Sequence, residues 1–182
     1  MKKLVASAAA LAALSAAPAR AQDRPVEVEI APLVGAYLPI LDQRGTLDDA
    51  MLVGLTGRFD LHRNAAVVLS AAWSPTQSAG ATLDLFQWDI GMQGQLPCAV
   101  GLSWTLKPFA GVGIGTRTYT FRDLDVNRQT DFAFYSSLGA SLRHDRLVFG
   151  LTARHGLTAF GPGGDTGARG DVSVFGSVGF TL

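Results

Sequence analysis

The stretch PFAGVGIGTRTY, Pro108 to Tyr119, places three glycines at alternate positions, where exposed backbone amides could hold a phosphate group. The dinucleotide-binding pattern is Gly-x-Gly-x-x-Gly between a strand and a helix. Here the spacing is Gly-x-Gly-x-Gly, and no helical periodicity follows. The pattern therefore predicts a strand with Gly111, Gly113 and Gly115 on one face, and it argues against a nucleotide site.

A second group with chemical potential consists of charged residues that share the polar faces of the predicted strands. They are Glu29, Arg58, Asp60, Asp89, Lys107, Arg117, Arg143, Arg154 and Asp171. Because charges inside a protein must be paired, we expect these residues to form an ion-pair network that plugs an enclosed interior. The alternative is a narrow conduit for small solutes or ions, in which the pairs exchange partners.

The remaining residues with chemical potential form no cofactor or metal pattern. Cys98 is the single cysteine, so an intramolecular disulfide is excluded, and we expect a free thiol in a turn. Cysteine and histidine do not cluster as zinc ligands do, and RDLDVNRQT, residues 122–130, lacks the ligand spacing of a calcium loop. This loop is either a recognition patch or simply solvated. We expect no cofactor and no metal.

The amino terminus has the features of a Sec-type signal peptide. Lys2 and Lys3 precede the apolar run 4–17, and Ala19-Arg20-Ala21 fits a cleavage site. We predict a signal peptide over residues 1–21, cleaved after Ala21, followed by one mature domain over residues 22–182. Cleavage leaves twelve basic against fifteen acidic residues, a balance that argues against a nucleic-acid partner.

The mature chain alternates apolar and polar residues almost throughout, which is typical of strands with two different faces. We predict eight strands, each long enough for a tilted strand to cross a bilayer. They cover residues 26–40, 50–62, 65–75, 82–96, 103–122, 131–143, 146–158 and 171–182. No segment has the run of about 18 apolar residues that a membrane-spanning helix needs.

The connections between these strands alternate in length. The first (41–49), third (75–81), fifth (122–130) and seventh (160–170) are long and polar, whereas the second and sixth are tight and the fourth, LPCAVGL, is a medium turn. Outer-membrane barrels have this asymmetry, with short periplasmic turns and longer external loops. The fold class that we predict is all-β, an eight-stranded antiparallel up-and-down transmembrane β-barrel.

The direction of the apolar face decides between a membrane barrel and a soluble ligand-binding barrel. Aromatic residues of this face fall near the two strand ends, as expected of girdles at the two membrane interfaces. One row comprises Phe59, Trp104, Phe149 and Phe180, and the other Trp73, Phe86 and Phe134. We therefore predict an apolar exterior and a polar lumen, in which the glycines make room for Phe109, Arg117 and Tyr119. The soluble barrel is the alternative.

Several segments resemble the small eight-stranded bacterial outer-membrane β-barrel family, which includes OmpA-like, OmpX-like and OmpW-like barrels. They are VEVEIAPLVGAYLP, LVGLTGRFDL, LKPFAGVGIGTRTY and the closing VSVFGSVGFTL. The resemblance implies an integral, non-enzymatic outer-membrane protein with a structural role, a surface-interaction role or both. It also implies outer-membrane lipid as surroundings and the barrel assembly machinery as a partner during biogenesis.

Three details depart from relatives of this kind. The chain ends in Leu182 where family members often end in Phe, although Phe180-x-Leu182 keeps the hydrophobic pattern that assembly requires. Nothing follows the eighth strand, so no peptidoglycan-binding domain is expected. His155, in TARHGLTAF, lacks the serine of the HxSN pattern in outer-membrane lipid A deacylases, and we therefore expect no enzyme activity.

Overall fold

The structure is a computed structural model, and it describes residues 26–78, 80–122, 128–160 and 169–182. The predicted signal peptide and most of the fifth and seventh connections lie outside the described residues. Nine strands and one short 3-10 helix make up the described chain. None of its helices is long and apolar enough to cross a membrane.

The strands follow one another along the chain and pair antiparallel with their neighbours. They are β1 Glu27–Leu41, β2 Ala50–His62, β3 Ala65–Ser78, β4 Ala81–Gln95, β5 Cys98–Val100, β6 Trp104–Phe121, β7 Gln129–His144, β8 Leu147–Phe160 and β9 Arg169–Thr181. β1 pairs with both β2 and β9, and β4 pairs with both β3 and β6, so eight long strands close into a barrel. The predicted fold class is confirmed.

The two ends of the barrel differ. At the terminal end lie Val26, where the described chain begins, Leu182 and the turns around residues 63–64, 96–103 and 145–146. At the loop end lie residues 42–49, Gly80, Arg122 and Arg128, together with the end of β8 and the start of β9. Short turns face the periplasm in bacterial barrels, so the terminal end corresponds to the periplasmic side.

The third connection differs from its prediction as a long loop. β3 extends to Ser78 and β4 begins at Ala81, which leaves only two residues between these strands. Gly80 adopts a φ of 84°, a conformation that glycine takes without strain. The indole of Trp73 also donates a hydrogen bond of 2.7 Å to Asp84, which ties the two extended strands together. The alternation of long and short connections therefore fails at this position.

The fourth connection is more ordered than the predicted turn. After Leu96 and Pro97, the chain forms β5, which pairs with the start of β6 from Trp104 to Leu106. Gly101, with a φ of 77°, lies in the turn between them. Cys98 is therefore an exposed residue of a short strand, where the sequence predicted a turn.

The first connection turns inwards at the loop end. A 3-10 helix over Asp42–Gly45 buries Gln43, and Leu47 is buried beyond it. The side chain of Gln43 donates a hydrogen bond of 2.7 Å to the hydroxyl of Tyr119 on β6. This polar loop therefore covers the loop end of the lumen, a role that its sequence did not predict.

The apolar face points outwards, as predicted. Val34, Leu55, Trp88 and Leu138 are between 51% and 67% exposed, whereas the polar residues between such positions face the lumen. On β6, every outward residue from Trp104 to Ile114 is apolar. With a rise of about 3.3 Å per residue and a tilt of about 40°, this band is about 25 Å tall, as in transmembrane barrels. The alternative of a soluble barrel, which would bury this face, is wrong.

We expect Val174→Arg to weaken the barrel, because Val174 faces outwards in the middle of β9. An arginine at the bilayer midplane costs about 2 to 4 kcal/mol. The measurement is a urea titration of the barrel refolded in lipid vesicles, read by tryptophan fluorescence. Val26→Arg, just outside β1, is the matched control and should leave the midpoint nearly unchanged. Equal effects of both variants would contradict the outward-facing assignment.

Candidate functional site

The lumen is the candidate site, and the structure separates the nine charged residues predicted there into two clusters. The mid-barrel cluster contains Asp89, Arg117, Arg154 and Asp171. The terminal-end cluster contains Glu29, Arg58, Asp60, Lys107 and Arg143. The mid-barrel charges lie on four different strands, and the terminal-end charges lie on β1, β2, β6 and β7, which the barrel brings together across its interior.

Arg117 is the centre of the mid-barrel cluster, and it is completely buried. Its Nη1 atom lies 2.7 Å from Asp89 Oδ1, and its Nε atom lies 3.4 Å from Asp171 Oδ2. Arg154 pairs with the other oxygen of Asp89 and donates to the hydroxyl of Ser70 at 2.9 Å. One carboxylate therefore joins two arginines from β6 and β8 across the lumen.

Aromatic rings complete the surroundings of Arg154. The guanidinium carbon lies 4.5 Å from the ring centre of Tyr135 and 5.4 Å from that of Phe175. Contacts of this kind stabilise a cation that has lost its water. The buried carboxylate of Asp131, directly opposite Arg117 in the strand register, accepts hydrogen bonds from Gln129. Sequence reasoning missed Asp131, although its alternation in β7 placed it on the lumen face.

The terminal-end cluster is a chain of pairs around Arg58 and Lys107. Arg58 lies 2.9 Å from Asp60 and 3.8 Å from Glu29, and it also donates to Gln95. Lys107 lies 3.0 Å from Asp60.

Glu27 extends the terminal-end cluster towards the mouth of the lumen, and sequence reasoning missed this residue as well. It pairs with Arg143, and it lies 3.9 Å from Lys107. The cluster then holds three acidic and three basic side chains, so its charges balance.

The loop end of the lumen is apolar. The cluster there consists of Leu33, Tyr37, Leu47, Leu52, Leu83, Leu85, Tyr119 and Phe175. Leu47 comes from the first connection, so this loop contributes to the cluster that closes the lumen. The sequence predicted a polar lumen, and the lumen departs from this prediction at the loop end.

Two cavities differ in what surrounds them. An interior cavity of about 30 Å³ lies between the two charged clusters, beside Glu29, Arg58, Arg154 and Phe175, and it has room for one or two waters. A groove of about 620 Å³ lies on the outer wall, where Leu55, Trp88 and Ile114 border it. The groove belongs to the apolar exterior.

The described residues hold no group of three side chains suited to a metal ion.

The three glycines of PFAGVGIGTRTY face the lumen, as predicted, but other residues use the space they leave. A Cβ atom on Gly113 would lie 2.3 Å from the carbonyl oxygen of Ile90 and 2.5 Å from the ring of Tyr135. The space at Gly111 is taken by Gln93, and that at Gly115 by Asp89. Residues of the neighbouring strands therefore fill the space beside these glycines, while Arg117 extends across the lumen to Asp171 and Tyr119 reaches Gln43. Phe109 instead lies against Gly139.

We expect Arg117→Met to destabilise the barrel by about 3 to 5 kcal/mol, because it leaves buried carboxylates unpaired. The double variant Arg117→Met with Asp171→Asn should recover part of the loss. Arg122→Met is the control, since the Arg122 side chain is half exposed and its pair with Asp84 is worth about 0 to 1 kcal/mol. Urea titration in vesicles measures the free energy of unfolding of all three variants. Equal losses of stability in Arg117→Met and Arg122→Met would contradict a central role for Arg117.

We expect Gly113→Ala to lower stability by about 1 to 3 kcal/mol, the usual cost of overpacking, because the added methyl meets backbone and an aromatic ring. Gly45→Ala is the control, since no atom lies within 4 Å of a Cβ added there. The fraction of heat-resistant folded barrel on an unboiled gel measures the effect. A folded fraction for Gly113→Ala equal to that of the control would contradict the close approach.

Comparisons with known proteins agree with this geometry. No curated protein matches the chain in sequence. The model of the outer membrane protein beta-barrel domain family matches residues 6–181.

Three solved structures share the fold at low sequence identity. Neisserial surface protein A has a TM-score of 0.64 at 9% identity, over 85% of this chain and 99% of its own. OprG from Pseudomonas aeruginosa has a TM-score of 0.58 at 14% identity, over 87% of this chain and 95% of its own. Ail, the attachment invasion locus protein of Yersinia pestis, has a TM-score of 0.54 at 13% identity, over 87% of this chain and 100% of its own. The chain belongs to the outer membrane protein beta-barrel domain family, and it forms an eight-stranded barrel of the bacterial outer membrane.

Proposed function

We propose that this protein is a closed, non-enzymatic barrel that acts through its outer surface, as a structural element of the outer membrane, a surface-interaction protein or both. The observation that carries this proposal is the packing of the lumen. From the terminal end to the loop end, the lumen holds a balanced ion-pair cluster, a small cavity, the Arg117 cluster and an apolar cluster.

The inward fold of the first connection supports a closed barrel over a conduit. A permeating ion would have to displace Leu47 and break the hydrogen bond between Gln43 and Tyr119 at the loop end. It would then have to separate Arg117 from Asp89, which requires exposing two buried charges. Eight strands also enclose an interior only wide enough for side chains.

The loop end offers the surface through which partners would bind. Its described residues include exposed charged side chains of both signs, such as Asp42, Arg44 and Arg128. Two structural neighbours are, by name, a surface protein and an attachment invasion protein. We infer a role at the cell surface, with outer-membrane lipid around the wall and the barrel assembly machinery as the partner in biogenesis.

Planar-bilayer recording of the refolded protein tests the closed state. We expect no discrete conductance steps once folding has been confirmed by the gel shift between boiled and unboiled samples. Reproducible steps whose size changes in Arg117→Met or Asp89→Asn would contradict the proposal and favour the conduit. Mass spectrometry of lipids extracted after incubation tests the enzymatic alternative, because a non-enzymatic barrel leaves their acyl chains unchanged.

A further inference from the structure

In its described part, the apolar band of the lipid-facing wall is interrupted by a pair of polar side chains on β7 and β8. On β7 the outward residues include Phe134, Ser136 and Leu138, and on β8 they include Ala153, His155 and Leu157. Ser136 and His155 are the polar side chains, among the described outward positions, that have apolar outward neighbours on both sides along their own strand. They are also direct partners in the register of β7 and β8. The two interruptions therefore form a single site.

The site lies in the outer half of the apolar band. His155 is six residues beyond Phe149, which belongs to the aromatic row at the terminal end. At a rise of about 2.5 Å per residue along the barrel axis, His155 is about 15 Å above that row, in a band about 25 Å tall. Ser136 lies just below the edge-to-face pair of Phe132 and Phe134 near the loop end. Ser136 is two residues, about 5 Å along the barrel axis, below Phe134 of the outer aromatic row, so the pair lies next to the zone where acyl chains join their headgroups.

The pair is unsatisfied within the barrel. Ser136 is exposed and His155 is half-buried, and neither side chain forms a hydrogen bond with another described residue. Cβ atoms of paired residues are about 4.5 to 5.5 Å apart, so one acceptor oxygen could contact both side chains. A polar side chain that faces lipid costs free energy unless it finds a partner, and polar residues at such positions therefore suggest function.

We propose that Ser136 and His155 form a hydrogen-bonding site for an acylated lipid of the outer leaflet, bound through the carbonyl oxygen of its acyl linkage. The serine hydroxyl and an imidazole N–H supply donors, and the linkage carbonyl supplies an acceptor without a donor of its own. The small side chains of Ala153 beside His155 and of Ala140 beside Leu138 leave a depression in the wall between larger side chains. An acyl chain can lie in this depression against the pair.

A lipid linkage fits these residues better than the other occupants. A second copy of the barrel would be held mainly by apolar contacts, which lipid chains replace at no loss. Hydrolysis of the linkage would need a group that orients the histidine, and the outward faces of β7, β8 and β9 carry no acidic side chain among the described residues. The pair is therefore assigned to binding.

Nuclear magnetic resonance of histidine-labelled protein in bicelles tests the assignment directly. One sample contains ester-linked dimyristoyl phosphatidylcholine, and the other its ether-linked dialkyl analogue, which has the same headgroup and chains but no carbonyl. We expect the His155 ring signals to differ between the two samples and to show contacts with lipid protons beside the linkage. His62, the last residue of β2 at the terminal end, is the internal control, and its ring signals should not change.

Variants then show whether the serine takes part. Native mass spectrometry should find that Ser136→Ala retains the ester lipid about two- to five-fold less than the unaltered protein, as expected for the loss of one hydrogen bond. Ser136→Thr, which keeps the hydroxyl, should restore retention. Val172→Ala is the matched control, because Val172 is the outward neighbour of His155 on β9. With the ether lipid, all variants should retain the same amount of lipid as the unaltered protein.

Three results would overturn the proposal. Identical His155 signals in ester and ether bicelles would show that no carbonyl is bound, and this measurement needs no variant to fold. Contacts from His155 to a differently labelled second copy would show a dimer interface. Release of a free fatty acid by the unaltered protein and not by Ser136→Ala would show hydrolysis. The last result would also contradict the proposed non-enzymatic function, whereas the first two would leave that function intact.

Discussion

The requirement that a buried charge be paired governs the middle of this barrel. Arg117 has no access to water, and Asp89 and Asp171 neutralise it from the neighbouring strand β4 and from β9, on the far side of the lumen. Asp89 in turn pairs with Arg154, which lies against two aromatic rings. Removing one member leaves the others charged in a site with little water, so the cluster acts as a unit.

The glycines of β6 allow this cluster to form. Gly115 leaves the space in which the carboxylate of Asp89 lies, and Gly113 leaves the space for the ring of Tyr135, which contacts Arg154. A larger side chain at either position would meet backbone atoms of β4 as well. The glycine-rich stretch and the ion pairs are therefore parts of one packing solution. Its cause is the small interior that eight strands enclose.

The lumen is asymmetric along its axis, and this asymmetry separates the functions of the two ends. Paired charges line the terminal end, while leucine and tyrosine side chains close the loop end beneath the inward-folded first connection. A barrel sealed in this way leaves its outer wall and its loop end as the surfaces available to other molecules. Among the described outward residues, Ser136 and His155 interrupt the apolar band of the wall, and the loop end carries charges of both signs.

The sequence by itself determined the strands and their faces, because a period of two residues assigns each side chain to a face wherever it lies in the chain. It indicated the direction of the apolar face through the aromatic residues near the strand ends. It also placed all nine charged residues in the lumen. Only the tertiary structure decided which charges meet, since partners such as Arg154 and Asp89 are 65 residues apart and their contact depends on barrel closure and register. The tertiary structure also decided that Leu47 is buried, because this residue lies in a loop with no periodicity. It likewise decided that Ser136 lies opposite His155, because the register between strands is set by the turns and bulges that connect them.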